Sequence, residues 1–329
     1  MSGHTWTWAD PVTKRLVVTD QALGGTEVEE QLARSLGADF ASHQVSTEED
    51  TLAATRGADV VMVNLAPITD LVLAGLADHA TVIRYGIGYD NVDIEAARRH
   101  GVQVANVPDY GSDTVADHAA ACLLALLRRL PFYNEAIRRD GWCQPGALGS
   151  VPGFASMTVG LVGAGRIALG LARRLKAFDF RVVAYDPYAN AEVVREHGVE
   201  LTSLTEVVRQ SAAISLHVPV TDDTRQLVNE DLLNQMRPGV VLVNTSRGAL
   251  VDEAALAVAL ADGRVAAAAL DVFDPEPLAA DSPLRQLPNV FFTPHAAFFS
   301  DDSVQALQRL AAEEAGRALS GQPLRCPVT

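Results

Sequence analysis

Val159-Gly160-Leu161-Val162-Gly163-Ala164-Gly165-Arg166-Ile167-Ala168 is an apolar run that enters Gly-x-Gly-x-x-Ala and passes at once into an amphipathic pattern. It reads as a strand, a tight turn and the opening of a helix. Gly163 permits the turn, Gly165 lets backbone approach a pyrophosphate, and a small residue at 168 lets helix and strand pack closely. The N–H groups that open the helix, those of Arg166 and Ile167 among them, present partial positive charge to phosphates. A Gly-x-Gly alone is weak, since tight strand-helix turns are common. Here the next apolar run, Arg181–Tyr185, ends in Asp186, 21 positions after Gly165. A carboxylate there accepts hydrogen bonds from an adenosine ribose and repels a 2′-phosphate. Pro187 and Tyr188 follow it with no basic residue, which favours NAD over NADP. The plainer alternative is an ordinary tight turn followed by a capping aspartate.

Outward from this motif, short apolar runs alternate with helix-length amphipathic segments. Runs expected as strands are 16–19, 60–64, 81–84 and 102–105, then 158–162, 181–185, 213–217, 240–244, 265–270 and 290–292. Helical patterns such as 28–35, 94–100, 166–178 and 253–262 separate them. Strand-helix repetition implies parallel sheets covered on both faces, and nearly continuous apolar strands suit their interior. Four strand-helix units precede Pro108 and about six strands follow Ser156. Residues 113–139 between them read as one or two long helices, and 142–154, rich in glycine and proline, as a loop. The final helix could pack on either half.

The chain has 329 residues, long enough for two domains. With 41 acidic and 26 basic residues its formal charge is −15, so nucleic acid is not expected as a partner. Lys14 and Lys176 are the only lysines, and neither sits in a glycine-rich loop, which removes a Walker-type phosphate site and makes a Schiff base improbable. Three dispersed cysteines, Cys122, Cys143 and Cys326, argue against a disulfide framework or thiolate zinc site and for a reducing cytoplasm. MSGHTWTWAD lacks the pattern of a signal peptide. The greasiest run, Ala119–Leu127, is far below the ~20 residues of a membrane span. No metal site is expected.

A nicotinamide site needs a hydride partner and a proton donor. No tyrosine is followed four residues on by lysine, which excludes short-chain dehydrogenase chemistry. Strand ends after the fingerprint supply other candidates. Val243-Asn244-Thr245-Ser246-Arg247-Gly248 delivers an arginine, Asp271-Val272-Phe273-Asp274-Pro275-Glu276-Pro277 a carboxylate on a proline-flanked loop, and Thr293-Pro294-His295 a histidine. Singly, each has a bland reading as a surface ion-pair partner, a solvated acid or a core histidine. Together they suit a 2-keto or 2-hydroxy acid. A guanidinium fork holds a carboxylate and polarises a carbonyl, while a histidine beside a carboxylate stays available as a proton donor near neutral pH. His217, which also ends a strand, reads either as lining the cofactor pocket or as structural.

With these motifs in order, the chain resembles the D-isomer-specific 2-hydroxyacid dehydrogenases. The likeness runs from about Val60 beyond His295. It rests on Gly86-Ile87-Gly88-Tyr89-Asp90-Asn91-Val92-Asp93, Asn106-Val107-Pro108, the Gly163 fingerprint, His217-Val218-Pro219 through Thr224 to Asn229, Asn244 to Gly248, the Glu276 loop and His295. Within the family it looks most like the C-terminal binding protein and phosphoglycerate dehydrogenase-like branch, on Arg128-Arg129, Asp186-Pro187-Tyr188 and Thr293 to Phe298. The resemblance implies that Arg247 binds and polarises the substrate, His295 exchanges its proton and Glu276 tunes His295. It implies that backbone N–H groups of Ile87 and Gly88 hold the substrate carboxylate and that Phe298 crowds the substrate side. It places His217, Pro219, Thr224, Asn244, Thr245, Ser246 and Asp271 around the cofactor.

The expected fold is α/β, with two doubly wound parallel-sheet domains. A flavodoxin-like substrate domain would span 1–107, completed by a C-terminal helix within 298–329, and a Rossmann NAD-binding domain would span 108–297. The resemblance adds a homodimer through the NAD-binding domain. The expected function is NAD-dependent interconversion of a 2-keto acid and its D-2-hydroxy acid. The rival is an NAD(H)-sensing dimeric scaffold with little turnover.

Overall fold

Every residue of Val60–Val63 and of Val240–Asn244 is buried. A strand with no exposed face must lie inside a sheet covered on both sides. The computed structural model describes residues 13–329 and contains two such sheets, each within its own unit. The stretch MSGHTWTWAD lies outside the described residues.

The first unit runs to Tyr110 and takes in Asp301–Thr329. Its strands are β1 (Arg15–Val18), β2 (Asp39–Ser42), β3 (Val60–Val63), β4 (Thr81–Arg84) and β5 (Gln103–Ala105), all parallel in the order β2-β1-β3-β4-β5. This is the flavodoxin-like order, which reverses direction between β1 and β3. The last helix, Asp301–Leu319, packs on this sheet: Leu307, Leu310, Ala311 and Ala315 share a core with Leu16, Val18, Met62 and Ile83. One expectation changes here. β2 is absent from the expected strands, because an edge strand with exposed ends, Asp-Phe-Ala-Ser, carries no apolar run. The final helix ends at Leu319, within the expected range, and beyond it Val328 N–H donates to the Val104 carbonyl (2.8 Å) and covers the β5 edge.

The second unit, Gly111–Ser300, holds β6 (Thr158–Val162), β7 (Arg181–Tyr185), β8 (Glu200–Leu201), β9 (Ala213–Leu216), β10 (Val240–Asn244), β11 (Val265–Leu270) and β12 (Val290–Phe292). They are parallel in the order β12-β11-β10-β9-β6-β7-β8. This is the Rossmann order with one strand added beyond the usual six, and it reverses between β6 and β9. Seven strands replace the expected six, because β8 has two residues and no hydrophobic signal. Residues 113–139 form two helices, Ser112–Leu127 and Leu130–Asp140, broken where Arg129 adopts φ +55° before Pro131. The first buries Ala116, Ala119, Leu123 and Leu126 against Val159, Leu161, Val243 and Ala269. Each such leucine contributes about 2–5 kcal/mol relative to alanine, so this helix is fixed under the sheet that carries the site. Among the described residues, no helix is long and apolar enough to cross a membrane, and no cluster of metal-ligating side chains occurs.

Candidate active site

At the sheet's reversal point β6 runs into the glycine turn. Gly163 has φ +99°, and a Cβ there would stand 2.6 Å from the His217 carbonyl oxygen. Only glycine fits, because both the backbone angle and the neighbouring strand end forbid a side chain. Gly165 caps the helix Arg166–Lys176 without any side-chain cap, and a Cβ on it would meet nothing within 4 Å. No side chain caps the N–H groups of Arg166 and Ile167, which stand at a positive helix end. Ala168 is fully buried beneath them. Asp186 faces this turn: one carboxylate oxygen accepts Ala164 N–H (2.8 Å) and the other Tyr188 N–H (2.9 Å). A glycine with room beside it, a helix end without a side-chain cap and a fixed carboxylate fit the pyrophosphate and adenosine ribose of NAD.

The adjoining ends of β9 and β10 supply two orphaned polar atoms. His217 Nε2 and Thr245 Oγ1 are buried without a hydrogen-bond partner. Burial pushes the His217 imidazole down to about 4, so it is neutral at pH 7. Unpaired buried groups cost about 1–3 kcal/mol each, a cost that a ligand with polar edges would remove. The neighbouring residues hold backbone instead. Asn244 donates to the Arg247 carbonyl (2.8 Å) and accepts Ser246 N–H (3.0 Å), and the Ser246 hydroxyl donates to the Val218 carbonyl (2.7 Å). The Thr224 hydroxyl donates to the Pro219 carbonyl (2.7 Å) and accepts Thr221 N–H (2.7 Å), closing that turn.

Arg247, Glu276 and His295 come from three successive strand ends. Gly248 sets the distance between the first two loops: a Cβ on it would lie 2.0 Å from the Phe273 carbonyl carbon. Glu276 accepts Phe273 N–H on Oε1 (3.1 Å) and meets His295 Nδ1 with Oε2 (2.8 Å). Burial pushes the Glu276 carboxyl up, but the His295 hydrogen bond and charge, Phe273 N–H and the Arg247 charge outweigh it and hold the group below 4.5. Ionised Glu276 can only accept, so Nδ1 carries a proton and Nε2 is the nitrogen left for exchange. His295 takes φ +50° and about a third of its side chain is exposed. Phe298 stands edge-on to it, ring centres 6.2 Å apart.

Asp271 holds this arrangement and is itself 1% exposed. Its carboxylate accepts the Thr293 hydroxyl (2.5 Å) and the N–H groups of Ala296 (2.8 Å) and Ala297 (2.9 Å), while its carbonyl accepts His295 N–H (2.7 Å). Ile87 and Gly88 belong to the other unit, in the turn after β4, where Asn106 Nδ2 donates to the Ile87 carbonyl (2.7 Å).

Residues 120–297 match the D-isomer specific 2-hydroxyacid dehydrogenase NAD binding domain. The chain belongs to that family. Over 272 residues it is 40% identical to D-3-phosphoglycerate dehydrogenase of Mycobacterium tuberculosis, covering 82% of this chain and 51% of that one. It thus spans about half the length of the curated phosphoglycerate dehydrogenases it matches. It is 38% identical over 234 residues to glyoxylate reductase of Korarchaeum cryptofilum, with 70% of each chain covered. A solved structure of a Thermus thermophilus protein superposes with TM-score 0.84 at 32% identity, covering 96% of this chain and all of that one. D-Lactate dehydrogenase from Aquifex aeolicus, complexed with NAD and lactic acid, gives TM-score 0.82 at 25% identity over 94% and 96%. These relatives support the phosphoglycerate dehydrogenase-like branch, and NAD as the cofactor of the second unit.

Three supports of this candidate site have contacts that the sequence does not announce. Gly248 figures there only as the neighbour of Arg247, although a glycine directly after a strand-end arginine is a signal of close backbone approach. Glu253 accepts Asp274 N–H (3.1 Å) and steadies the Glu276 loop, and Thr293 ties Asp271 to the His295 loop. Neither tie can be read from the sequence, although Thr293 stands in the His295 motif, because the partners are 20 or more residues away.

Proposed function

We propose that the protein is an NAD-dependent oxidoreductase that interconverts a 2-keto acid and its D-2-hydroxy acid. The contact from Glu276 Oε2 to His295 Nδ1 at 2.8 Å, beside Arg247, carries the reading. NAD(H) supplies or takes up the hydride at C2. In reduction, His295 Nε2 gives its proton to the keto oxygen as the C2–H bond forms, and the C=O pair becomes the hydroxyl. Arg247 holds the carboxylate and draws charge from the carbonyl. Ionised Glu276 accepts from Nδ1 and keeps the imidazole ring oriented with Nε2 toward the exchange. The part proposed for Ile87 and Gly88, holding a carboxylate on backbone N–H groups, rests on the resemblance alone.

The relatives are dehydrogenases and reductases, which does not favour an NAD(H)-sensing scaffold. The proposal includes a homodimer through the second unit. Leu130, Ile137 and Trp142 support it, since these large apolar side chains stand exposed on and just after the helix Leu130–Asp140. It also includes the cytoplasm, on the strength of three free cysteines. Sedimentation at a dimer's mass supports the assembly; a monomer at all concentrations contradicts it.

NADH oxidation against glyoxylate, hydroxypyruvate, pyruvate and phenylpyruvate tests the activity. Turnover of at least one acid to its D product is the expected result. NADH binding without reduction of any acid would overturn it.

A further inference from the structure

We infer that His118 is a positioning residue that fixes the catalytic histidine's loop through a directed hydrogen-bond chain, His118 to Thr293 to Asp271. His118 sits on the helix Ser112–Leu127, which the reaction scheme does not otherwise use. Its Nε2 lies 3.1 Å from Thr293 Oγ1 and 3.8 Å from the Asp271 carboxylate. The direction of the chain follows from the donor inventory. Asp271 as a carboxylate has no proton to give, so the single Thr293 hydroxyl proton goes to it at 2.5 Å. The Thr293 oxygen then faces His118 with lone pairs only, and His118 must carry its proton on Nε2. Both neutral Nε2–H imidazole and imidazolium satisfy this, so the chain persists whichever form is present.

The consequence lies at the far end. Asp271 accepts the N–H groups of Ala296 and Ala297 on the same carboxylate and His295 N–H on its carbonyl. Every one of these bonds holds the loop that keeps His295 at φ +50°, an angle non-glycine residues seldom take unsupported. Hydrogen bonds in a chain polarise one another, so donation from His118 strengthens Thr293 to Asp271. His118 is buried to about three quarters and Asp271 almost wholly, so water replaces the donor poorly.

This inference rests on the proposed dehydrogenase activity, and two readouts keep their failures apart. Imidazole nitrogen NMR reads the His118 tautomer without any substrate: an Nε2–H form supports the chain, and an Nδ1–H form overturns it. Kinetics then use an acid that the unaltered enzyme reduces; absence of any such acid counts against the activity, not the chain. His118→Leu is expected to lower kcat about tenfold or more with the NADH dissociation constant unchanged, because a misplaced general acid slows only the chemical step. His118→Gln, which keeps an N–H donor, is expected to stay within about threefold of wild type. Thr293→Val and Thr293→Ser form a second pair with the same expectation should His118→Leu not fold. Wild-type kcat in both Leu and Val variants, or equal loss in the donor-keeping and donor-lacking members of a folded pair, would overturn it.

Discussion

Oε2 of Glu276 lies 2.8 Å from Nδ1 of His295, and the two residues come from loops after neighbouring strands. Under the proposed function, the ionised carboxylate accepts from Nδ1 and leaves the outer nitrogen, Nε2, to carry the exchanged proton. Glu276→Gln is expected to lower kcat for reduction about tenfold with the NADH dissociation constant unchanged, because the neutral amide orients the ring less firmly than the carboxylate does. Wild-type kcat in this variant would show that the pair does not govern proton transfer.

His217 gives a stability prediction of definite sign. Its folded value is about 4 against an ordinary 6.5. Between those values the unfolded chain takes up a proton that the folded one refuses. Stability is therefore complete above pH 6.5 and falls as pH drops toward 4. His217→Gln should flatten the melting-temperature profile in that window, and an equal slope in both proteins would contradict the neutral assignment.

Gly248 tolerates no side chain, with the Phe273 carbonyl carbon 2.0 Å from where its Cβ would be. Gly248→Ala should push the Glu276 loop away, destabilising the unit by about 1–3 kcal/mol and costing activity out of proportion. At roughly 2–4 °C per kcal/mol, thermal denaturation detects it. Melting and turnover both at wild-type levels would refute the close approach.

Asp186 is held at the glycine turn by Ala164 and Tyr188 N–H, and under the proposed function its charge would set the choice of cofactor. Asp186→Ala is expected to reduce the preference for NAD over NADP by about tenfold or more, measured as the ratio of kcat/KM values. An unchanged ratio would remove that role.

Much of this organisation is legible in the sequence because it is local. Gly163, Gly165 and Ala168 form one strand-turn-helix unit, and the apolar strands β3, β6 and β10 advertise their burial residue by residue. Arg247, Glu276 and His295 stand out as a strand-end arginine, carboxylate and histidine, and the structure brings Glu276 and His295 into contact. What stays hidden depends on contacts distant in sequence. The fit of Gly248 against Phe273 and the bonds from Asp271 to Ala296 and Ala297 need the folded sheet to exist. The edge strands β2 and β8 are half exposed and short, so their residues carry no hydrophobic imprint. The helix break at Arg129 is a backbone event with only Pro131 to announce it.

The central claim is that His295 exchanges the substrate's proton. Single-turnover NADH oxidation by His295→Ala, on a 2-keto acid that wild type reduces, tests it most directly. A fall of about 10²–10⁴-fold with NADH affinity retained is predicted. A variant that keeps its rate within a few-fold would place the proton donor elsewhere and contradict the account.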